Sequence, residues 1–168
     1  RGVAVTQLTR TGDSDHTGTV VRFRPDAEIF QESTEFEYDI LQNRLREQAF
    51  LNAGVHIELD DERNPEHLVH NVYQYEGGIR SFVEYLNKKR SLEVIHEDVI
   101  YFDAVAADDS ATAEVAMQYN SSYNELMLSF ANNIHTTDGG THEDGFKRAL
   151  TRIMNDYARK YNLSLIHI

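Results

Sequence analysis

Apolar and polar positions alternate in several short stretches of this chain and recur at helical spacing in three others. Residues 3–9 (VAVTQLT) and 17–24 (TGTVVRFR) are β-branched and partly alternating, and predict two strands joined by a polar TGDSDH turn. After the Arg24-Pro25-Asp26 break, Thr34 followed three residues later by Glu37 predicts a capping box at a helix start. Tyr38, Leu41, Leu45 and Ala49 then form one apolar stripe at helical spacing, and Asn52-Ala53-Gly54 ends it. Residues 55–62 (VHIELDDE) and 67–75 (HLVHNVYQY) alternate as strands about an Asn64-Pro65-Glu66 turn. Past Gly77-Gly78, the apolar residues Ile79, Phe82, Val83 and Leu86 predict a short amphipathic helix ending near Lys88-Lys89-Arg90.

Three further strands are expected at 98–106, 111–119 and 124–132, separated by polar turns at 107–110 and 120–123. The stretch HTTDGGTHEDG reads as a long loop leading into a last helix. Phe146, Leu150, Ile153, Tyr157 and Tyr161 are its expected buried face; Arg148, Arg152 and Arg159 gather opposite, with Lys147 at the boundary. The order strands, helix, strands, helix, strands, helix predicts an α+β fold rather than regular βαβ alternation. The tail LSLIHI continues none of these patterns, and residues 164–168 are expected to be non-native.

Composition adds limits. The 168 residues suit one domain or two small or incomplete ones. No apolar run approaches the ~20 residues of a membrane span, and the opening RGVAVTQLTR has neither an initiator Met nor an apolar signal core. The absence of cysteine excludes disulfides and thiolate metal sites. The net charge of −12 argues against a protein that coats nucleic acid with its whole surface. The charge is uneven, however. Residues 140–168 hold Lys147, Arg148, Arg152, Arg159 and Lys160 against Glu143, Asp144 and Asp156, so any phosphate contact is expected there. The plainer reading of those arginines is a solvated helix face paired with acids such as Asp156.

Candidate chemistry is sparse. His56, His67 and His70 sit on an acidic hairpin without HExxH or zinc-finger spacing, so they read as surface histidines and no metal site is expected. His135 and His142 flank the glycine loop, where Thr141 as a helix cap and the freedom of Gly139-Gly140 account for the residues. DGGTHEDG fits neither a P-loop nor a dinucleotide-binding turn, and its carboxylates repel phosphate. There is no nucleophile elbow or cysteine nucleophile, and no catalytic residue is expected in this chain.

Five strings occur in order: TGTVVRFRPDAEIF at 17–30, EYDILQNRLREQAFLNAG at 37–54, YEGGIRSFVEYLN at 75–87, EVAMQYN at 114–120 and SFANNIHTTDGGTHEDGFKRALTR at 129–152. Together the chain resembles the ATPase subunits of type IIA DNA topoisomerases, gyrase and topoisomerase IV. The resemblance implies that residues 1–75 end a Bergerat-type (GHKL) ATP-binding domain and that residues 76–163 begin a transducer domain. It implies that Thr19 helps bind adenine through an Asp and a water, and that Val21 packs on the base. A Thr hydroxyl can donate and accept, and Val supplies an apolar wall. Lys147, just after GGTHEDGF, is implied to face the cavity through which DNA passes, with Arg148 and Arg152 beside it; Lys keeps the charge there but lacks the planar fork of Arg.

In the family the general-base Glu, the Mg-binding Asn, the adenine-binding Asp and the glycine-rich lid precede residue 1, and the Gln-Thr-Lys loop follows the last residue. ATP and Mg2+ are therefore expected to be held mainly outside this segment. The partners implied are DNA, the gyrase A subunit and a second copy joined through the ATPase region, in the cytoplasm and without a membrane. The implied activity is ATP hydrolysis coupled to DNA strand passage and negative supercoiling. Decatenation by a topoisomerase IV subunit is the alternative within the family; an acidic non-catalytic binding module is the alternative outside it.

Overall fold

The structure, a computed structural model, describes residues 4–21, 25–64 and 66–163. The chain divides into two units, Arg1–Glu37 and Tyr38–Ile168.

The described residues of the first unit contain neither helix nor strand. The strands expected at 3–9 and 17–24 are not formed over 4–9 and 17–21, and Val5, Leu8 and Val20 are 94–104% exposed. A lone two-stranded hairpin is marginal in water without a third strand or a helix over its apolar face, and this unit has neither among its described residues. Residues 3, 22–24 and 65 and the tail 164–168 lie outside the described residues. The break at Pro25-Asp26 is a turn closed by Ile29 N–H and Phe30 N–H donating to the Asp26 carbonyl at 2.9 and 2.8 Å. The capping box of Thr34 and Glu37 does not form: the first helix starts at Tyr38, and Ser33 Oγ instead accepts from Glu35 N–H at 3.0 Å. A hydroxyl two residues back offers the backbone a local turn that competes with the helix start.

The second unit runs α1 (Tyr38–Leu51), β1 (Ile57–Asp61), β2 (Val69–Tyr73), α2 (Gly78–Lys89), β3 (Ile100–Val105), β4 (Thr112–Met117), β5 (Phe130–Ala131), β6 (Ile134–His135) and α3 (Thr141–Lys160). One antiparallel hairpin lies between α1 and α2 and two lie between α2 and α3, an α+β layout as expected. The core lies where α1 and α2 meet. Phe50 is 1% exposed and stacks on Tyr75 at 3.6 Å and on Phe82 at 4.8 Å, with Tyr85 tilted at 5.4 Å. The Arg46 guanidinium lies over the rings of Tyr73 and Tyr85, 5.3 and 5.6 Å from their centroids, where the ring faces attract a cation. Tyr38, Leu41 and Leu45 are half-buried and Ala49 is buried, so the expected stripe faces inward.

A polar network joins the end of α2 to β4. Buried Asn87 donates to Gln118 Oε1 at 2.8 Å and accepts from Asn120 at 3.2 Å, while Gln118 donates to the His96 carbonyl at 2.9 Å. Both strands of this second hairpin were expected.

The strand expected at 124–132 shrinks to β5. Asn132 and Asn133 adopt φ of 49° and 62° and reverse the chain in two residues, so β6 begins between the expected strand and the expected loop and takes the first loop residue, His135. Asn tolerates left-handed backbone at both central positions of such a turn, which pairs well with strand twist. The turn is gripped by α1: Arg44 and Gln48 donate to the Asn133 carbonyl at 3.0 and 2.9 Å, and Asn133 donates to Asn52 Oδ1 at 2.9 Å.

Candidate nucleic-acid interface

At about 1.5 Å per residue α3 is roughly 30 Å long, and its start is set by the glycine loop. Gly139 takes φ of 74° and Gly140 is the cap residue, so the helix begins at Thr141, earlier than expected. Thr141 is thus the first helical residue rather than the cap, and the cap position is held by a glycine. The first turn is tethered instead through Glu143. Ser129 Oγ donates to Glu143 Oε2 at 2.9 Å, and Ser129 and Thr136 hydroxyls pair at 2.6 Å across the β5–β6 hairpin.

Of the expected buried face, Phe146 and Leu150 are half-buried, but Ile153, Tyr157 and Tyr161 are 54–64% exposed. The hairpin holds only the first half of α3, and among the described residues nothing covers the second half of the stripe. The helix ends in a Schellman turn: Asn162 takes φ of 54°, and Leu163 N–H donates to the Ala158 carbonyl at 2.8 Å.

The other side of α3 carries a shallow, open groove between its own side chains, lined by Lys147, Arg148, Arg152 and Arg159 with Thr151, Asn155 and Asp156. The three residues expected to face DNA are therefore gathered in one place. Four cations share the groove with one carboxylate, Asp156, in a chain of net charge −12. Asp156 is shared between Arg152 at 3.9 Å and Arg159 at 3.6 Å. Such exposed pairs contribute little, which leaves both guanidiniums able to meet phosphate. Arg148 makes no ion pair among the described residues.

Lys147 differs from its neighbours. It donates to Glu143 Oε1 at 2.8 Å and lies 3.5 Å from Glu125 Oε1. The Glu143 hydrogen bond holds the Lys147 ammonium above its ordinary pKa, and the Lys147 and Ser129 bonds hold the Glu143 carboxyl below its own. Sequence reasoning missed these partners. The four-residue spacing of Glu143 and Lys147 was a visible signal, but Glu125 comes from an irregular stretch whose path no periodicity reveals.

Thr19 and Val21 lie in the first unit, both exposed, Val21 by 76%. His56 and His70 face solvent on the first hairpin and hydrogen-bond to carboxylates of β1. Their imidazoles are held above the ordinary pKa, His70 by Asp60, His56 by Gln74 and Glu58. No described helix is long and apolar enough to cross a membrane.

Comparison with known proteins places this geometry. The DNA gyrase B family profile matches residues 78–165, a segment that includes all of α3. The DNA gyrase B subunit of Bacillus mycoides is 51% identical over 97% of this chain and 39% of its own length. The Clostridium acetobutylicum protein of the same name is 52% identical over 96% of this chain, and that of Staphylococcus aureus 52% over 94%, each over 24% of its own length. The crystal structure of the B-subunit of the DNA gyrase from Myxococcus xanthus superposes with a TM-score of 0.65 at 27% identity, covering 75% of this chain and 34% of that one. The chain thus spans 24–39% of the length of these curated relatives. With the profile covering more than half of its residues, the chain belongs to the DNA gyrase B family.

Proposed function

We propose that this chain is a portion of the ATP-hydrolysing subunit of DNA gyrase. The whole protein would couple ATP binding and hydrolysis to passage of one DNA duplex through another and to negative supercoiling. The observation that carries this reading is the cationic groove of α3, inside the segment that matches the DNA gyrase B family. Residues 1–75 close the GHKL ATP-binding domain and residues 76–163 open the transducer. Thr19 and Val21 take part in the adenine site, while ATP and Mg2+ are held mainly by the rest of the protein. Lys147, Arg148 and Arg152 face the duplex, and the working partners are DNA, the gyrase A subunit and a second copy joined through the ATPase region.

The hydrogen bonds suggest how nucleotide state reaches the groove. α1 grips the Asn133 turn through Arg44, Gln48 and Asn52; the same hairpin holds Glu143 through Ser129; Glu143 holds Lys147. A displacement of α1 as a rigid body pulls on this chain of contacts and re-aims the groove. The test is incubation of the whole protein, its A partner, ATP and Mg2+ with relaxed circular DNA. Negative supercoils are expected. Decatenation and relaxation without supercoiling would assign the topoisomerase IV alternative, and no change in DNA topology would overturn the reading.

A further inference from the structure

Among the described residues, Lys147 is the cation of the α3 groove that lies between two carboxylates. Its ammonium donates to Glu143 Oε1 at 2.8 Å, one turn back on the same helix. It also stands 3.5 Å from Glu125 Oε1, on the connection from β4 to β5. Arg152 and Arg159 share the single carboxylate of Asp156. In formal charge the Lys147 end is thus negative by one, whereas the end holding Arg148, Arg152 and Arg159 is positive by two. Phosphate is opposed at the first end and drawn to the second.

The two carboxylates are held differently. Glu143 is 19% exposed, and its other oxygen accepts from Ser129 Oγ at 2.9 Å, a hydroxyl paired in turn with Thr136 at 2.6 Å. Glu143 cannot swing away without giving up that bond. Glu125 is 69% exposed and makes no other ion pair or hydrogen bond among the described residues. An exposed pair contributes little, so Glu125 is the partner that gives way.

We propose that Glu125 is an intramolecular competitor of DNA phosphate, occupying a position on the Lys147 ammonium that a phosphate of the duplex takes over. The proposal rests on the reading that this groove faces duplex DNA, and adds a regulator to it. The arginines engage the backbone first. Lys147 then exchanges Glu125 for a phosphate while Glu143 stays as its fixed anchor.

Duplex binding by the whole protein, read as the fluorescence anisotropy of a labelled DNA at fixed salt, tests this in a double-variant cycle. Glu125→Gln is expected to tighten binding by about two- to fivefold, the range set by an exposed ion pair. In a Lys147→Gln background the same substitution is expected to change affinity much less, because no ammonium is left to release. Absence of tightening would overturn the proposal. So would equal tightening with and without Lys147, which would reduce Glu125 to general repulsion of a polyanion. Joint replacement of Arg148 and Arg152 by Gln separates the two levels. Weaker binding there supports the groove reading whatever Glu125 does, and unchanged binding would overturn that reading and the proposal with it. Circular dichroism checks that each variant keeps the fold, as expected for exposed side chains.

Discussion

Phe50 touches three aromatic rings, two on α2 and one in the connection before it, and at 1% exposure it has no solvent to fall back on. Truncation to Ala leaves a cavity between α1 and α2, so Phe50→Ala is expected to cost about 3–5 kcal/mol in denaturant unfolding. A loss under about 1 kcal/mol would show that the aromatic cluster is not the core. Glu143 makes a pH-dependent contribution. Its folded pKa lies below the ordinary carboxyl value of 4.5, because of the hydrogen bonds from Lys147 and Ser129. That stabilisation is fully present above about pH 4.5 and is lost as pH falls through the depressed folded value. The difference in unfolding midpoint between the parent and Glu143→Gln is therefore expected to shrink toward acid, and a pH-independent difference would contradict the assignment. For single residues the sequence was a partial guide. It showed the α1 stripe but passed over Phe50, because a residue beside a stripe is buried only if a second helix lies over it.

Among the elements, helix ends decide much. Gly78 opens α2 with φ of 56°, and a Cβ there would stand 3.3 Å from Ala53 Cβ. Gly78→Ala is expected to destabilise by about 1–2 kcal/mol, since the left-handed backbone and the close neighbour both oppose it. At the other end Ser91 takes φ of 53° beyond the last turn, with Leu92 N–H donating to the Asn87 carbonyl at 3.0 Å. Glycine relieves that conformation, so Ser91→Gly is expected to raise stability, by up to about 1 kcal/mol. Thermal melts of the two variants should move in opposite directions, and a shared direction would contradict the cap geometry. Elements with a covered apolar side, α1, α2 and the first hairpin, were legible from periodicity, and the second hairpin from its alternation and its polar turn. The strands expected over the described residues 4–9 and 17–21 and most of that at 124–132 were not, because β propensity speaks of a pleated surface and says nothing of whether a partner lies beside it. The Asn132-Asn133 reversal was visible in principle as two residues that tolerate positive φ.

For the molecule as a whole, the acidic balance and the basic groove of α3 make opposite demands on a polyanion. If the proposed phosphate contact runs through Arg148 and Arg152, it would release counterions, and replacing both with Gln is expected to weaken duplex binding by the whole protein. It should also flatten the salt dependence by roughly one unit of log–log slope for each phosphate no longer neutralised. A slope unchanged in the double variant would place the DNA elsewhere. The position of these residues on one helix was readable from their spacing, while the tether that holds the helix was not, since Ser129, Thr136 and Glu143 meet only after the hairpin has folded. Whether the α3 groove reports DNA to an ATP-driven motor is decided by ATP turnover of the whole protein with and without duplex DNA. With Lys147→Gln, basal turnover is expected to stay as in the parent and its stimulation by DNA to fall. Undiminished stimulation in that variant would mean that the groove does not carry the signal.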